Sequence, residues 1–340
     1  MQAANRLQRI LKTGKTAFGG WQMLPGANLS RTIARTPNLD WICVDTEHGN
    51  ISDDSMHECV AAIAACGVSP VVRVPEGQHW MIKRALDAGA HGLMVPLVRS
   101  VEDAKNIVKY SKFPPRGTRG LGSPFSMEKF SPEITQMQYF QEANDATVVI
   151  LQIETAKALE NVRRIAAVPG VDVLLVGPFD LGNSIGHPIM QADMDPELHE
   201  AIAETHSAAQ DSGKWSAIYC RDGDQARHHA EQGFNMCSAM TDAVALNKAF
   251  GEAFSLERIH QQGQSNSSPN GSVMVDGHLT SSDGGRSGLA AEGSSADEQD
   301  GEFNEIQYEE CRHGEWVMTC EVCLGPVDTG KYGLVDHEED

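Results

Sequence analysis

The strongest constraint on the fold of this chain is a repeated alternation between two sequence patterns, from residue 16 to about residue 255. A short apolar or β-branched run, typical of a buried strand, is followed each time by a longer stretch with amphipathic-helix spacing. Alternation of this kind predicts parallel strands joined by right-handed helical crossovers. Eight strand runs occur, at Thr16–Trp21, Asp40–Asp45, Ser69–Val74, Gly92–Pro96, Thr147–Ile153, Val171–Val176, Trp215–Ile218 and Phe234–Ser238.

Eight such units predict a closed (β/α)8 TIM barrel, with helices outside and side chains filling the interior. An open doubly wound sheet is the alternative, but its Gly-x-Gly-x-x-Gly signature after the first strand is absent. Predicted helices lie at Asn28–Thr36, Asp53–Cys66, Trp80–Ala88, Val101–Lys112, Ala156–Ala166, Pro196–Ser212, Asp222–Gln232 and Ala243–His260. An unusually long segment, Ser111 to Ala146, separates the fourth and fifth strands. Its Arg116 and Arg119 suggest either an anion or subunit contact, or a plain surface connection.

Composition divides the chain into three parts. Residues 1–260 form the predicted barrel. Residues 261–302 are rich in Gly, Ser and acidic residues and are predicted to be a disordered linker. Residues 303–340 form an acidic, cysteine-containing tail that is predicted to be disordered too. Of the formal net charge of −20, −14 falls on residues 262–340. Whether the tail thiols bind zinc stays open, because one Cys-x-x-Cys is only half of such a site. The possible ligands are Cys311, His313, Cys320 and Cys323.

The charge and the absence of long apolar runs exclude two classes of partner. A net charge of −20 argues against binding to nucleic-acid phosphates, and no run of 18 apolar residues is available to span a membrane. The scattered cysteines of the barrel suggest core residues in a reducing cytoplasm. A basic start without Asp or Glu, from Met1 to Leu39, predicts a basic first helix that leads into the first strand, with a mitochondrial presequence as the alternative.

Charged residues follow several strands at the carboxyl end, which is where active sites lie in TIM barrels. Asp45 and His48 follow the second strand, Arg73 ends the third, Glu154 follows the fifth and Asp180 follows the sixth. Each has a structural explanation when taken alone, as a helix-start acid, a loop histidine or an ion-pair partner. Their convergence on one rim instead predicts a site.

The residue types suggest roles at this rim. Glu154 and Asp180 offer carboxylate oxygens that suit an open divalent-cation site for Mg²⁺, Mn²⁺ or Co²⁺. His48 is a natural proton carrier, and Asp45 is expected to orient its imidazole. Arg73 is a permanent cation suited to a carboxylate or a developing enolate.

Six motifs together resemble the HpcH/HpaI aldolase family of metal-dependent (class II) pyruvate aldolases, over about residues 5 to 246. They are WICVDTEHG at 41–49, PVVRVP at 70–75, LDAGAHGLMVP at 86–96, PPRGTRG at 114–120, QIE at 152–154 and VGPFDL at 176–181. The resemblance implies a (β/α)8 barrel, usually hexameric. It also implies cleavage of a 4-hydroxy-2-oxo acid to pyruvate and an aldehyde, or the reverse addition, through a metal-stabilised pyruvate enolate.

The resemblance also implies roles for individual residues. Glu154 and Asp180 would ligate the metal, His48 would be the base held by Asp45, and Arg73 would steady the enolate oxygen. The substrate would contact Gln152 and the backbone of Gly177, Pro178 and Phe179. Two departures from the family pattern concern substrate scope: Gly182 stands where serine is common, and Phe179 stands where a small residue is usual.

Two other functions fit the sequence. One is a citrate-lyase-like barrel that acts on an acyl-CoA or a dicarboxylate. The other is a non-catalytic scaffold whose tail binds a partner. The sequence does not name the aldehyde, the preferred metal or the number of subunits.

Overall fold

A computed structural model describes residues 1–190 and 193–265 of the chain and confirms the (β/α)8 barrel. The eight strands are parallel, and each pairs with its sequence neighbours, β1 closing the barrel against β8. The strands are β1 (Ala17–Gln22), β2 (Trp41–Asp45), β3 (Ser69–Arg73), β4 (Gly92–Val95), β5 (Val148–Ile153), β6 (Val173–Val176), β7 (Trp215–Ile218) and β8 (Met236–Thr241). All eight predicted strands are thus present.

The described helices surround this barrel. They are α1 (Arg6–Lys12), α2 (Ala27–Ala34), α3 (Asp53–Ala64), α4 (His79–Asp87), α5 (Val101–Ser111), α6 (Gln136–Ala146), α7 (Ala156–Glu160), α8 (Val162–Ala166), α9 (Pro178–Ile185), α10 (Pro196–Asp211), α11 (Gly223–Glu231) and α12 (Asp242–Ser265). The helix predicted at Ala156–Ala166 is broken at Asn161 into α7 and α8. Both α6 and α9 lie in segments for which no helix was predicted.

The core has an inner and an outer layer because every strand residue of β2 to β6 is buried. Inside the barrel, Trp41, Val71, Met94 and Ile150 belong to one buried cluster. Alternate residues such as Ile42 and Val72 point outward and pack under the helices in a second cluster. Two-sided burial is what parallel strands covered by crossover helices require.

The amino-terminal end of the barrel is closed by α1. Leu7 and Leu11 of this helix are buried and join the inner cluster. The buried Asn5 caps the helix by accepting from the Gln8 amide, while its side-chain amide donates to His91 O and Ala146 O. The helix therefore serves as a plug, fixed by hydrogen bonds to the segments that enter β4 and β5.

The long segment between α5 and β5 is not a plain connection. It contains a 3₁₀ turn at Met127–Lys129 and α6, which begins with a capping box between Thr135 and Gln138. Arg119 is buried here: its Nη2 donates to Asp87 Oδ1 at 3.0 Å and to Tyr139 Oη at 3.1 Å. Because the segment leads into β5, it lies at the end of the barrel opposite the strand carboxyl ends. The structure therefore gives Arg119 a packing role, not an anion-binding one.

The final helix extends further than predicted. It continues to Ser265, beyond His260, where the barrel region was expected to end. The remainder of the predicted linker (residues 266–302) and the acidic tail (303–340), with Cys311, His313, Cys320 and Cys323, lies outside the described residues. None of the helices that the structure describes combines the length and apolarity needed to cross a bilayer.

Candidate functional site

A cavity of about 210 Å³ opens at the carboxyl end of the barrel strands. Its lining, here called the mouth cavity, comprises Trp21, Met23, Asp45, His48, Arg73, Gln152, Gly177, Pro178, Phe179, Asp180, Tyr219 and Thr241. Eight of the nine predicted site residues are in this lining. The ninth, Glu154, lies directly behind it, since its Oε2 is only 2.7 Å from where a Cβ at Gly177 would stand.

Asp45 and Arg73 form a buried ion pair on the floor of the cavity. They are register neighbours at the ends of β2 and β3. Arg73 Nη2 donates to Asp45 Oδ2 at 2.6 Å, and Arg73 Nε donates to Asp45 Oδ1 at 3.0 Å. Burial opposes both charges, yet the pair holds the pKa of Asp45 below and the pKa of Arg73 above their ordinary values. The guanidinium of Arg73 is therefore a permanent cation whose position is fixed by the carboxylate of Asp45.

Asp45 was expected to orient the imidazole of His48, but its described hydrogen bond to this residue goes to the backbone amide. Asp45 Oδ1 accepts from the backbone amides of Glu47 and His48, and Oδ2 accepts from Trp21 Nε1 as well as from Arg73. With these partners both oxygens are occupied, and none of their described hydrogen bonds reaches the ring. The His48 side chain instead stands at the mouth, 61% exposed, with Nε2 3.8 Å from Glu47 Oε1. It shares the cavity with Asp180 but lacks the predicted orienting partner.

Gln152 links Arg73 to Glu154. Its Nε2 donates to Glu154 Oε2 at 2.7 Å, and its Oε1 accepts from Arg73 Nη1 at 3.4 Å. The other Glu154 oxygen accepts from the Leu97 amide at 2.6 Å. Glu154 is 2% exposed, and burial raises its pKa to about 7, with the charges of Asp180 and Glu47 adding to the effect. Its two oxygens are thus oriented by donors while the charge remains poorly compensated.

Glu47 is a member of the site that the sequence did not single out. Its Oε2 lies 2.9 Å from Arg73 Nη1 but is buried without hydrogen-bonding geometry to any partner among the described residues. Burial and the charges of Asp45 and Asp180 raise its pKa to about 7, against the opposing effect of Arg73. The only signal in the sequence was its position between Asp45 and His48, which equally fits a helix-start acid.

The donor set fits a divalent cation. Glu47, Glu154 and Asp180 interact electrostatically, and the one guanidinium in the lining is already paired with Asp45. Among the described residues, the oxygens of these three acids do not all lie within 4.8 Å of one another, so the three do not form one cluster and the expected ligand set remains the open, two-carboxylate one of Glu154 and Asp180. Gly177 leaves the space beside Glu154 Oε2 that any side chain would fill. An oxygen-preferring ion would offset the excess negative charge.

The first turn of α9 supplies amide donors beside this acidic set. Gly177 is its N-cap and Pro178 its first residue, so the free N–H groups of the turn belong to Phe179 and Asp180. Amides at a helix start bind carboxylates. The unusual Gly182 also lies in α9, where a Cβ would stand 2.6 Å from His187 O. A serine there would push against the chain that follows the helix, so this departure is explained by packing.

Four lining residues were missed, namely Trp21, Met23, Tyr219 and Thr241. Three of them end or follow β1 and β8, and Tyr219 follows β7. In the sequence they are indistinguishable from residues that fill a barrel core, so hydropathy alone gives no signal for them.

A second group of possible metal ligands lies on the surface. Donor atoms of His187, Asp195 and Glu197 all lie within 4.8 Å of one another, and the two acids are exposed. They lie outside the mouth cavity, and His187 Nδ1 is already 3.1 Å from Asp195 Oδ2. The group matters chiefly as a competing site in metal-binding measurements.

Comparison with known proteins gives consistent matches. The model of the HpcH/HpaI aldolase/citrate lyase family matches residues 23–249. A hydroxypyruvate/pyruvate aldolase of Paraburkholderia phytofirmans is 33% identical, over 73% of this chain and 96% of the relative. A 2-dehydro-3,6-dideoxy-6-sulfogluconate aldolase of Pseudomonas putida is 34% identical, over 71% and 92%. A solved HpcH/HpaI family structure from Burkholderia cenocepacia is 33% identical with a TM-score of 0.68, over 76% of this chain and all of that one.

Proposed function

Because this chain belongs to the HpcH/HpaI aldolase/citrate lyase family, we propose that it cleaves a 4-hydroxy-2-oxo acid to pyruvate and an aldehyde, or catalyses the reverse addition. The named relatives are aldolases, so an aldolase lyase activity on small molecules follows for this chain. The choice of substrate and the need for a metal are the proposed parts. The observation that carries them is the mouth cavity, in which one fixed cation faces a set of acids.

The metal proposal rests on the uncompensated carboxylates. Glu154 and Asp180 would hold Mg²⁺, Mn²⁺ or Co²⁺, with Glu47 close enough to influence its affinity. The ion, when bound, would supply a Lewis acid beside the 2-oxo group of the substrate.

The residues of the chain itself would perform the remaining tasks. The amides of Phe179 and Asp180 would bind the substrate carboxylate, and Gln152 lies within reach of the same oxo acid. Arg73, held by Asp45, would stabilise the negative charge that develops on the 2-oxo oxygen. His48, at the open side of the cavity, would take the 4-hydroxyl proton as the C3–C4 bond breaks. Its exposure leaves the ring free to follow the substrate.

The direct test is pyruvate release from 4-hydroxy-2-oxopentanoate, measured with a coupled dehydrogenase. We expect activity to disappear after chelation and to return with Mg²⁺, Mn²⁺ or Co²⁺. Glu154→Gln and Asp180→Asn should abolish it and weaken Mn²⁺ binding, measured by calorimetry. His187→Gln, which removes a ligand from the surface group, is the control and should keep full activity. Unchanged activity in the chelated protein would disprove the metal-dependent reaction.

We also propose a homo-oligomer, hexameric by the family resemblance, in the cytoplasm. Three large apolar side chains of α12, Val244, Phe250 and Phe254, are more than half exposed, which is typical of a surface covered by another subunit. Light scattering on the purified protein tests the assembly, and cell fractionation separates the cytoplasm from the mitochondrial alternative.

A further inference from the structure

One wall of the mouth cavity is aromatic. The ring of Tyr219 packs edge-on against Trp21, with centroids 5.2 Å apart, and against Phe179, with centroids 6.2 Å apart. Met23 lines the cavity near these rings. The three rings thus form a continuous row from the buried Trp21 to Phe179, which is 41% exposed. This row is here called the aromatic wall.

The aromatic wall is held in place from behind. Trp21 Nε1 donates to Asp45 Oδ2 at 3.1 Å, and the hydroxyl of Tyr219 lies 3.1 Å from Thr241 Oγ1. Arg73 covers the Trp21 ring at 5.1 Å from its centroid. Phe179 is fixed through its backbone in the first turn of α9, directly before Asp180. A rigid apolar surface therefore lies one residue from the proposed metal ligand.

The charges of the lining make a second anionic group on the substrate unfavourable. Arg73 is the only lysine or arginine among the described residues that line the cavity, and Asp45 and Glu47 already lie against it. The other charges there are acids. A carboxylate or phosphate at the far end of the substrate would find no cation in this lining, whereas an apolar group would bury surface against the wall.

We propose that the carbonyl partner of the reaction carries an apolar, preferably aromatic, substituent that packs on Phe179, which makes Phe179 a specificity-determining residue. This inference rests on the proposed cleavage to pyruvate and adds the chemistry of the other product. The cavity, of about 210 Å³, has room for a small group such as a single ring.

The test compares two substrates that share the pyruvate half. One is 4-hydroxy-2-oxo-4-phenylbutanoate, which releases benzaldehyde, and the other is 4-hydroxy-2-oxopentanedioate, which releases glyoxylate. We expect kcat/KM of the unaltered enzyme to favour the phenyl substrate by about tenfold, the scale of one ring contact together with its buried area. Phe179→Ala should remove most of that preference, because kcat/KM should fall much further for the phenyl substrate than for the dicarboxylate.

Two further variants keep the result interpretable. Phe179→Leu retains an apolar side chain and should keep much of the preference even if the alanine variant folds poorly. Phe125→Ala removes an exposed ring outside the cavity and should change neither value. Pyruvate release that favours the dicarboxylate, or a ratio that Phe179→Ala leaves unchanged, would overturn the inference while leaving the aldolase reaction intact. Pyruvate release from neither substrate, nor from 4-hydroxy-2-oxopentanoate, would reject both together.

Discussion

Most polar side chains around the mouth cavity are held by other protein groups before any substrate binds. Arg73 has Asp45, Gln152 has Glu154, and Glu154 has the amide of Leu97. Leu97 adopts a left-handed backbone conformation, with φ of 53°, which is unusual for a residue with a side chain. Such local strain is found where surrounding structure fixes a functional group. Here the backbone conformation of Leu97 directs its N–H toward Oε1 of Glu154, an oxygen with no other described donor.

The narrow space between Gly177 and Glu154 predicts that adding one methyl group at residue 177 will disturb the site. Gly177→Ala would bring a methyl group to 2.7 Å from Glu154 Oε2, although the backbone of Gly177, at φ −97° and ψ 93°, suits alanine. Displacing Glu154 should lower pyruvate release on the order of 100-fold and weaken Mn²⁺ binding. Both are measurable by coupled assay and calorimetry. Gly223→Ala, with open space around it, is the matched control. Full activity in the Gly177 variant would mean that Glu154 does not need its present position.

The buried His91 predicts a loss of stability in acid. Its Nε2 donates to Lys129 O at 2.8 Å, its ring stacks on Phe130, and burial lowers its pKa to about 4. In the unfolded chain the imidazole takes up a proton near pH 6.5. Between these values the unfolded state binds more protons than the folded state, so the free energy of unfolding decreases as the pH falls. The loss from this residue should approach about 3 kcal/mol by pH 4.

Urea unfolding at a series of pH values tests this contribution. The His91→Gln variant should be less stable at neutral pH but should lose less stability than the unaltered protein between pH 6.5 and 4. The exposed His199 provides the control, because His199→Gln should leave the pH dependence as it is. Parallel curves for the unaltered protein and the His91 variant would show that His91 is not the group responsible.

Single residues were predictable from the sequence only where the strand pattern determined their position. Glu154 and Asp180 follow strands with clear apolar runs, so the sequence predicted that both lie at the carboxyl end of the barrel. The partner of Asp45 depends on the register of β2 against β3, which aligns it with Arg73 and which hydropathy does not specify. Trp21 and Tyr219 carry no signal because an aromatic residue at a strand end fits a core and a cavity wall equally well.

At the scale of elements, helices with clear apolar spacing were predicted and the others were not. The α6 sequence, Gln136–Ala146, buries only Tyr139, Ala143 and Ala146, so its periodicity is weak. The ring of Tyr139 packs against Phe113 and Phe130 in a small separate cluster. The existence of this helix therefore depends on tertiary contacts, which a local pattern does not contain.

The segment between α5 and β5 gives the second stability prediction. Arg119→Met removes the hydrogen bonds to Asp87 and Tyr139 from a buried site and should lower the free energy of unfolding by about 3 kcal/mol. The exposed Arg116 pairs with Asp145, and Arg116→Met should cost less than about 1 kcal/mol. Urea unfolding measures both. Activity of the folded fraction should be unchanged, and a loss of activity without a loss of stability would favour the anion-binding role instead.

For the molecule as a whole, the barrel accounts for all the chemistry described. The family match ends at residue 249, and every residue of the mouth cavity precedes α12. A chain ending at Ser265 should therefore keep its circular dichroism spectrum and its kcat/KM for pyruvate release. Comparing the zinc content of the full and shortened chains tests whether the tail, with Cys311, His313, Cys320 and Cys323, binds zinc. Loss of activity in a shortened chain that still folds would assign the tail a part in catalysis.

The plug formed by α1 affects how substrates and products reach and leave the site. Because Leu7 and Leu11 fill the amino-terminal end of the barrel, reactants and products enter and leave through the mouth cavity. Arg73 and Gln152 lie deep, at 8% and 3% exposure, whereas Phe179 stands at the threshold. For the proposed cleavage, this arrangement predicts that the fragment beside Phe179 leaves first and the oxo acid last. For the proposed addition, it predicts that the oxo acid binds before its partner, so a barrel closed at one end would impose an ordered kinetic mechanism.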